Sequence, residues 1–215
     1  MDAITENRIV IKDVSESADI DVIVKIHMSA FKGFFLTALG EGFLKQMYKG
    51  FSEHNKSGIF GAYDENSRLL GFLAYSSDLS GFYKYLLKTR LIQFAFYSLI
   101  AFLKTPKFFM RLIKAFLKPS ESVRDENYLE LSSIGVLPEA EGRGIGGMLI
   151  ERLKEIFDSK EFAYIKLETD ADGNDGVNKF YQKNGFVCVG DYVTSEGRRM
   201  NEYRWYEKAQ DAVHS

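Results

Sequence analysis

Tyr128-Leu129-Glu130-Leu131-Ser132-Ser133-Ile134-Gly135-Val136-Leu137-Pro138-Glu139-Ala140-Glu141-Gly142-Arg143-Gly144-Ile145-Gly146-Gly147 is the stretch on which the fold of this chain turns. Tyr128 to Leu137 predicts a strand that stops at Pro138, which has no N–H to give a ladder. From Gly146 to Phe157, Met148-Leu149, Leu153 and Ile156-Phe157 recur at helical spacing. The glycines between the two let the backbone turn sharply and come close to a ligand. The helix start that follows leaves unpaired N–H groups and a partial positive charge, which suits a pyrophosphate, and Arg143 adds a cation nearby. Taken alone, the same junction also describes a tight turn that packs a helix on a sheet. A Walker loop would end in Gly-Lys-Ser/Thr, and none follows. A Rossmann turn would follow the first strand of a parallel unit, whereas this one lies past the middle of the chain.

Working outward, Arg8 to Val14 alternates apolar and polar residues as a strand does. Asp19 to Phe31 predicts a helix, and Phe34 to Phe51 carries apolar residues at 35, 39, 43, 47 and 51, one stripe on a single helix. Gly58 to Tyr63 and Leu69 to Tyr75 predict a hairpin around Asp64-Glu65-Asn66-Ser67. Beyond the glycine turn, Ala163 to Leu167 predicts a strand and Asn174 to Lys183 a helix with Asn184-Gly185 as a left-handed stop. Phe186 to Thr194 and Arg198 to Tyr206 close the chain as a second hairpin. The pattern is one mixed α/β (α+β) domain over 1–215, with helices on both faces of a mostly antiparallel sheet. At 215 residues and 46% hydrophobic content the chain can bury a core of that size.

Composition removes several function classes. One cysteine, Cys188, rules out a disulfide framework and makes a reducing, cytoplasmic setting the expectation; placed inside a strand, it reads as a core residue. The three histidines stand at no metal-binding spacing, so no metal is expected. A net charge of −2 gives no ground for a nucleic-acid partner. Met1 to Asp13 lacks a basic segment followed by an apolar run, so no secretory signal is expected.

The glycine turn, taken with Asn174-Asp175-Gly176-Val177-Asn178-Lys179-Phe180-Tyr181 and the later Gly185-Phe186, resembles the GNAT superfamily of N-acetyltransferases. That family carries a Gln/Arg-x-x-Gly-x-Gly/Ala turn after its fourth strand. Gly144 and Gly146 match the two small positions, while Glu141 replaces Gln or Arg; an acid there can cap the helix start. The resemblance covers 128–206 well and 8–78 loosely. It implies that acetyl-CoA is the co-substrate, with its pyrophosphate on the amides of Glu141, Gly142, Arg143, Gly144, Ile145, Gly146 and Gly147. It implies that the main chain of Ile134, Gly135 and Val136 pairs with the pantetheine arm, that the Ile134 amide is the oxyanion donor, and that Asn174 contacts the coenzyme. Tyr181 matches the family's general acid, which protonates the departing thiolate. Glu130 matches the spacing of a catalytic glutamate in the histone-acetylating branch, with Glu168 and a water relay as the alternatives for the base. The expected activity is direct acetyl transfer to a small-molecule primary amine in a ternary complex, with a non-catalytic acyl-CoA-binding or membrane-surface regulatory protein as the alternative.

Residues 79–127 depart from that pattern as a helical insertion. From Leu79 to Lys118 there are eight basic residues and no acid. Lys107, Arg111, Lys114 and Lys118 fall on one face of a helix that starts at Thr105-Pro106, with Phe108-Phe109, Leu112-Ile113 and Phe116 on the other. The preceding apolar run, Leu91 to Leu103, is too short to cross a bilayer. Three readings stay open for 82–118: a flap beside the acceptor site or against a second subunit, peripheral contact with an anionic membrane surface, or a protein partner. As a flap, its lysines would suit a diphosphate-bearing acceptor such as a nucleotide-linked amino sugar.

Overall fold

Ile59 and Phe60, like Phe72 and Leu73, are buried neighbours that belong to two different cores, one on each face of a single sheet. Alternation along a strand requires this, and it places helices on both faces. The computed structural model describes residues 8–14, 17–31, 35–104, 126–194 and 197–207. Its seven strands are β1 (Val10–Asp13), β2 (Ser57–Tyr63), β3 (Leu69–Ser76), β4 (Tyr128–Val136), β5 (Tyr164–Asp170), β6 (Val187–Val193) and β7 (Arg199–Trp205). They lie in the order β1-β2-β3-β4-β5-β7-β6. Every neighbouring pair is antiparallel except β4–β5. The helices are α1 (Ser17–Ala30), α2 (Phe35–Ala38), α3 (Glu41–Glu53), α4 (Leu79–Lys104), α5 (Ile145–Glu155) and α6 (Asp175–Lys183). One core joins α1, α3 and α4 to the first face; the other joins α5 and α6 to the second.

Two sequence expectations change here. The stripe from 35 to 51 is not one helix: Gly40 adopts φ 85, a left-handed conformation that ends α2 and starts α3. Leu39, Phe43, Met47 and Phe51 nevertheless stay buried on the same side. Cys188 is exposed rather than in the core, because β6 is the outermost strand and all seven of its residues face solvent. The insertion begins as a docked helix. Phe82 of α4 packs on Phe51 at 4.1 Å between ring centroids, and Phe94 packs on Phe43 at 4.6 Å. Between them the helix departs from helical geometry at Arg90 (φ −133, ψ 18), whose guanidinium binds Gln46 at 2.7 Å and Glu53. Beyond Arg90, Leu91, Ile92 and Phe96 are exposed. No helix among the described residues is long and apolar enough to cross a membrane. The basic helix expected over 107–118 lies outside the described residues.

Candidate active site

β4 and β5 pair only through Tyr128↔Tyr164, Leu129↔Ile165 and Glu130↔Lys166, and then diverge. On its other side β4 stays bonded to β3 as far as Gly71↔Val136, with one extra residue, Ser132, between the Ala74↔Ser133 and Tyr75↔Leu131 pairs. The direction of the amides beyond that bulge follows from one bond. Leu137 N donates to the Leu70 carbonyl at 2.8 Å, so Gly135 and Ser133, two and four residues earlier, also direct their N–H groups at β3. Ile134 and Val136 alternate with them and direct theirs into the gap that β5 has left. A wedge of unladdered donors thus opens in the middle of the sheet, as expected for a strand that must present main chain to a ligand.

A cleft of about 1010 Å³ fills the wedge and emerges on both faces. On the α5–α6 face its mouth is the glycine turn. Gly142 and Gly144 both take φ 75, and a Cβ at either would meet nothing within 4 Å, so these positions call for glycine through conformation rather than space. At Gly146 the reason is space, since a Cβ there would stand 3.0 Å from Cζ of Phe180. Gly144 is the N-cap of α5 and receives no side-chain cap; the first helical bond runs from Met148 N to Gly144 O. The amides of Ile145, Gly146 and Gly147 are left as intrahelical orphans at a positive helix end, which suits phosphate oxygens. Glu141 therefore does not cap the helix, but it lines the cleft with Gly142 and Gly144 to Gly147. Arg143 is exposed and does not line it, because the left-handed residues on either side turn its side chain outward.

α6 forms the opposite lip. Asn174 occupies its N-cap position, yet the side chain is used elsewhere: Nδ2 donates to Thr169 Oγ1 at 2.8 Å and to the Asp170 carbonyl at 3.2 Å. Asn178, one turn on, donates to the Asp170 and Asn174 carbonyls and accepts from Asn201 Nδ2 and the Tyr203 hydroxyl. These bonds clamp the helix to the end of β5. At the far end, Gly185 (φ 83) closes α6 with Phe186 N bonded to Tyr181 O and Gly185 N to Gln182 O, the expected left-handed stop. Tyr181, held between these anchors, is buried and lines the cleft. Its ring packs on Phe180, Phe186 and Tyr203, and no described group bonds its hydroxyl. Burial raises its pKa far above the usual tyrosine range, so the hydroxyl stays a proton donor at neutral pH.

The two carboxylates considered for a base separate in space. Glu168 lines the cleft with its side chain 29% exposed, accepts from the Tyr192 hydroxyl at 2.5 Å and pairs with Lys166 Nζ at 2.6 Å. Glu130 does not line the cleft; it is buried beside Lys166, at 3.6 Å from its ammonium. Burial opposes the charge on Lys166, but the two carboxylates outweigh that and hold its ammonium above the usual lysine range. Tyr83 of α4 lies close to this trio: burial of its hydroxyl raises its pKa, and Glu130 and Glu168 push it further.

Three side chains that sequence reasoning passes over meet at the other mouth. His27 Nδ1 lies 2.7 Å from the Tyr48 hydroxyl, and that hydroxyl lies 3.2 Å from Ser133 Oγ on β4. His27 and Ser133 line the cleft, and His27 Nε2 is buried with no partner among the described residues. Burial lowers the His27 pKa to about 4. Because this lies below the unfolded value of 6.5, the neutral ring suits the fold fully above pH 6.5, and that contribution drains away as pH falls toward 4. Urea unfolding at pH 7.5 and 4.5 should show wild type losing about 2–3 kcal/mol more than His27→Asn over that interval. Equal losses in both proteins would refute a buried neutral ring.

A profile for a family described as "Acetyltransferase (GNAT) family" matches residues 22–186, more than half of the chain. A search of curated protein sequences returns no match. Among solved structures, an acetyltransferase of that family from Desulfovibrio desulfuricans, described as putative, is 12% identical, with TM-score 0.60 over 93% of this chain and 99% of its own. The spermidine N-acetyltransferase SpeG from Vibrio cholerae, solved as a single-residue mutant, is 14% identical, with TM-score 0.57 over 92% and 93%. Arabidopsis thaliana NAA60, solved with acetyl-CoA, is 14% identical, with TM-score 0.58 over 94% and 100%. At these identities the likeness is one of fold.

Proposed function

The chain belongs to the acetyltransferase (GNAT) family, and on that premise we propose that it moves an acetyl group from acetyl-CoA to a primary amine, directly, with both substrates held in one cleft. The observation that carries this reading is the wedge between β4 and β5. It exposes the Ile134 and Val136 amides between a glycine turn on one face and a pocket on the other. The amides of Gly144 to Gly147 hold the pyrophosphate, Ile134 to Val136 pair with the pantetheine arm, and Asn174 stands at the same mouth. Among the described residues no group of histidine, cysteine, aspartate and glutamate is arranged to hold an ion.

The steps follow from the groups in place. The amine nitrogen gives up a proton toward Glu168, directly or through water, and its lone pair forms a bond to the thioester carbon. We assign the base to Glu168 rather than Glu130 because only the former lines the cleft. The carbonyl oxygen gains negative charge and is met by the Ile134 N–H, a preorganised donor of the kind whose removal costs about 10²–10³ in turnover. The carbon–sulfur bond then breaks, and the thiolate takes the proton of the Tyr181 hydroxyl. The second proton on the nitrogen leaves through water to restore that hydroxyl, while Glu168 passes its proton to solvent. Products are the amide and the free thiol of coenzyme A. The exposed, unpaired Cys188 supports a reducing, cytoplasmic setting. Mixing enzyme, acetyl-CoA and a panel of primary amines should release one thiol per amide formed, and at a rate that rises with amine concentration. Tight coenzyme binding with no thiol released by any amine would favour the non-catalytic alternative.

A further inference from the structure

We infer that the acceptor mouth of this cleft takes a primary amine carried on an apolar body, an alkyl- or arylalkylamine, an assignment that rests on the transferase reading above. The wedge has two mouths. The glycine turn and α6 occupy one, so the acceptor must enter through the other, between α1, α3 and α4. That mouth is lined by Phe31, Leu36, Met47, Phe51, Phe82 and Tyr83. Five of the six side chains are wholly apolar, so binding there is driven by burial of apolar surface.

The charge at this mouth is complementary to an ammonium group. Glu168 reaches the cleft beside Tyr83, on the acceptor side of the wedge. Although it pairs with the Lys166 ammonium, Glu130 on the other side of that lysine leaves the trio with one negative charge in excess. The cleft is lined by only two cationic side chains among the described residues, Lys183 and Arg198. Lys183 stands on α6, at the coenzyme mouth. Arg198 is held in a two-pronged pair by Asp170, with Nη2 2.7 Å from each carboxylate oxygen. Lys84 and Lys88 of α4 do not line the cleft. Among the described residues, an amine with an apolar tail thus finds a partner for each end.

The test is a homologous series from propylamine to hexylamine, with initial rates of thiol release read at saturating acetyl-CoA. The apolar wall predicts that KM falls about threefold to fourfold for each added methylene. Hexanoate, with the same body and the opposite charge, should inhibit at least about tenfold more weakly than a hexyl cation. Leu36→Ser, at a half-buried wall position, should raise KM for hexylamine about tenfold and flatten the chain-length series, with KM for acetyl-CoA nearly unchanged at the other mouth. A flat series, or a lower KM for spermidine or a nucleotide-linked amino sugar than for hexylamine, would overturn the inference. Calorimetry of hexylamine into the coenzyme A complex reads the same site without turnover. Binding there with no acetylation would leave the pocket standing and remove the transferase reading; no binding there would remove the pocket.

Discussion

Replacing Tyr181 with phenylalanine is expected to lower kcat by about 10²–10⁴ while the fold and the KM for acetyl-CoA stay nearly unchanged. The expectation comes from what the hydroxyl does and does not touch. Its ring is packed by Phe180, Phe186 and Tyr203, and a phenylalanine fills the same space. No described group bonds the oxygen, so its removal strands no buried partner, and thermal stability should hold or rise slightly. What is lost is a donor whose burial keeps it protonated and whose place lines the cleft. A leaving thiolate would then have to find its proton in water. Rapid-quench or steady-state thiol release reads the effect; a variant within about fivefold of wild type would show that the hydroxyl protonates nothing in the slow step.

The second large effect is expected in binding. If the phosphates of coenzyme A sit on the start of α5, then the coenzyme must bind far better than its own phosphate-free arm. Orphan amides at a helix start give hydrogen bonds to a charged oxygen worth about 1.5–3 kcal/mol each. Two such bonds correspond to an affinity ratio of at least about 10². The backbone is already set for this, with Gly142 and Gly144 in the left-handed region and the three amides after Gly144 unpaired within the helix. The loop therefore loses little freedom when phosphate arrives. Glu141, which lines the cleft, adds an opposing charge that those amides must exceed.

Much of this site can be read from neighbours in sequence, and the part that cannot has a common cause. The glycine turn, the Asn174 to Tyr181 helix and its Gly185 stop are local: each depends on residues within one or two turns of one another. The choice between Glu130 and Glu168 is not local. It depends on where β5 leaves β4 and on the extra residue Ser132, which resets the alternation of β4. The His27–Tyr48–Ser133 chain joins residues 21 and 85 positions apart, and no period in the sequence links them. A histidine on the apolar side of α1 is the one signal available. The exposure of Cys188 escapes a sequence pattern because strand order in space is not strand order in the chain: β7 inserts beside β5 and leaves β6 at the edge. The helical stripe from 35 to 51 is broken by a single glycine whose left-handed φ a hydrophobic pattern does not register.

Isothermal titration of coenzyme A, 4′-phosphopantetheine and pantetheine into the protein bears most directly on the glycine turn as a phosphate cradle. Coenzyme A should bind at least about 100-fold more tightly than pantetheine, and the single phosphate of phosphopantetheine should recover at least about tenfold of that. No heat with coenzyme A, or pantetheine binding as tightly as its phosphorylated form, would contradict the account at its base.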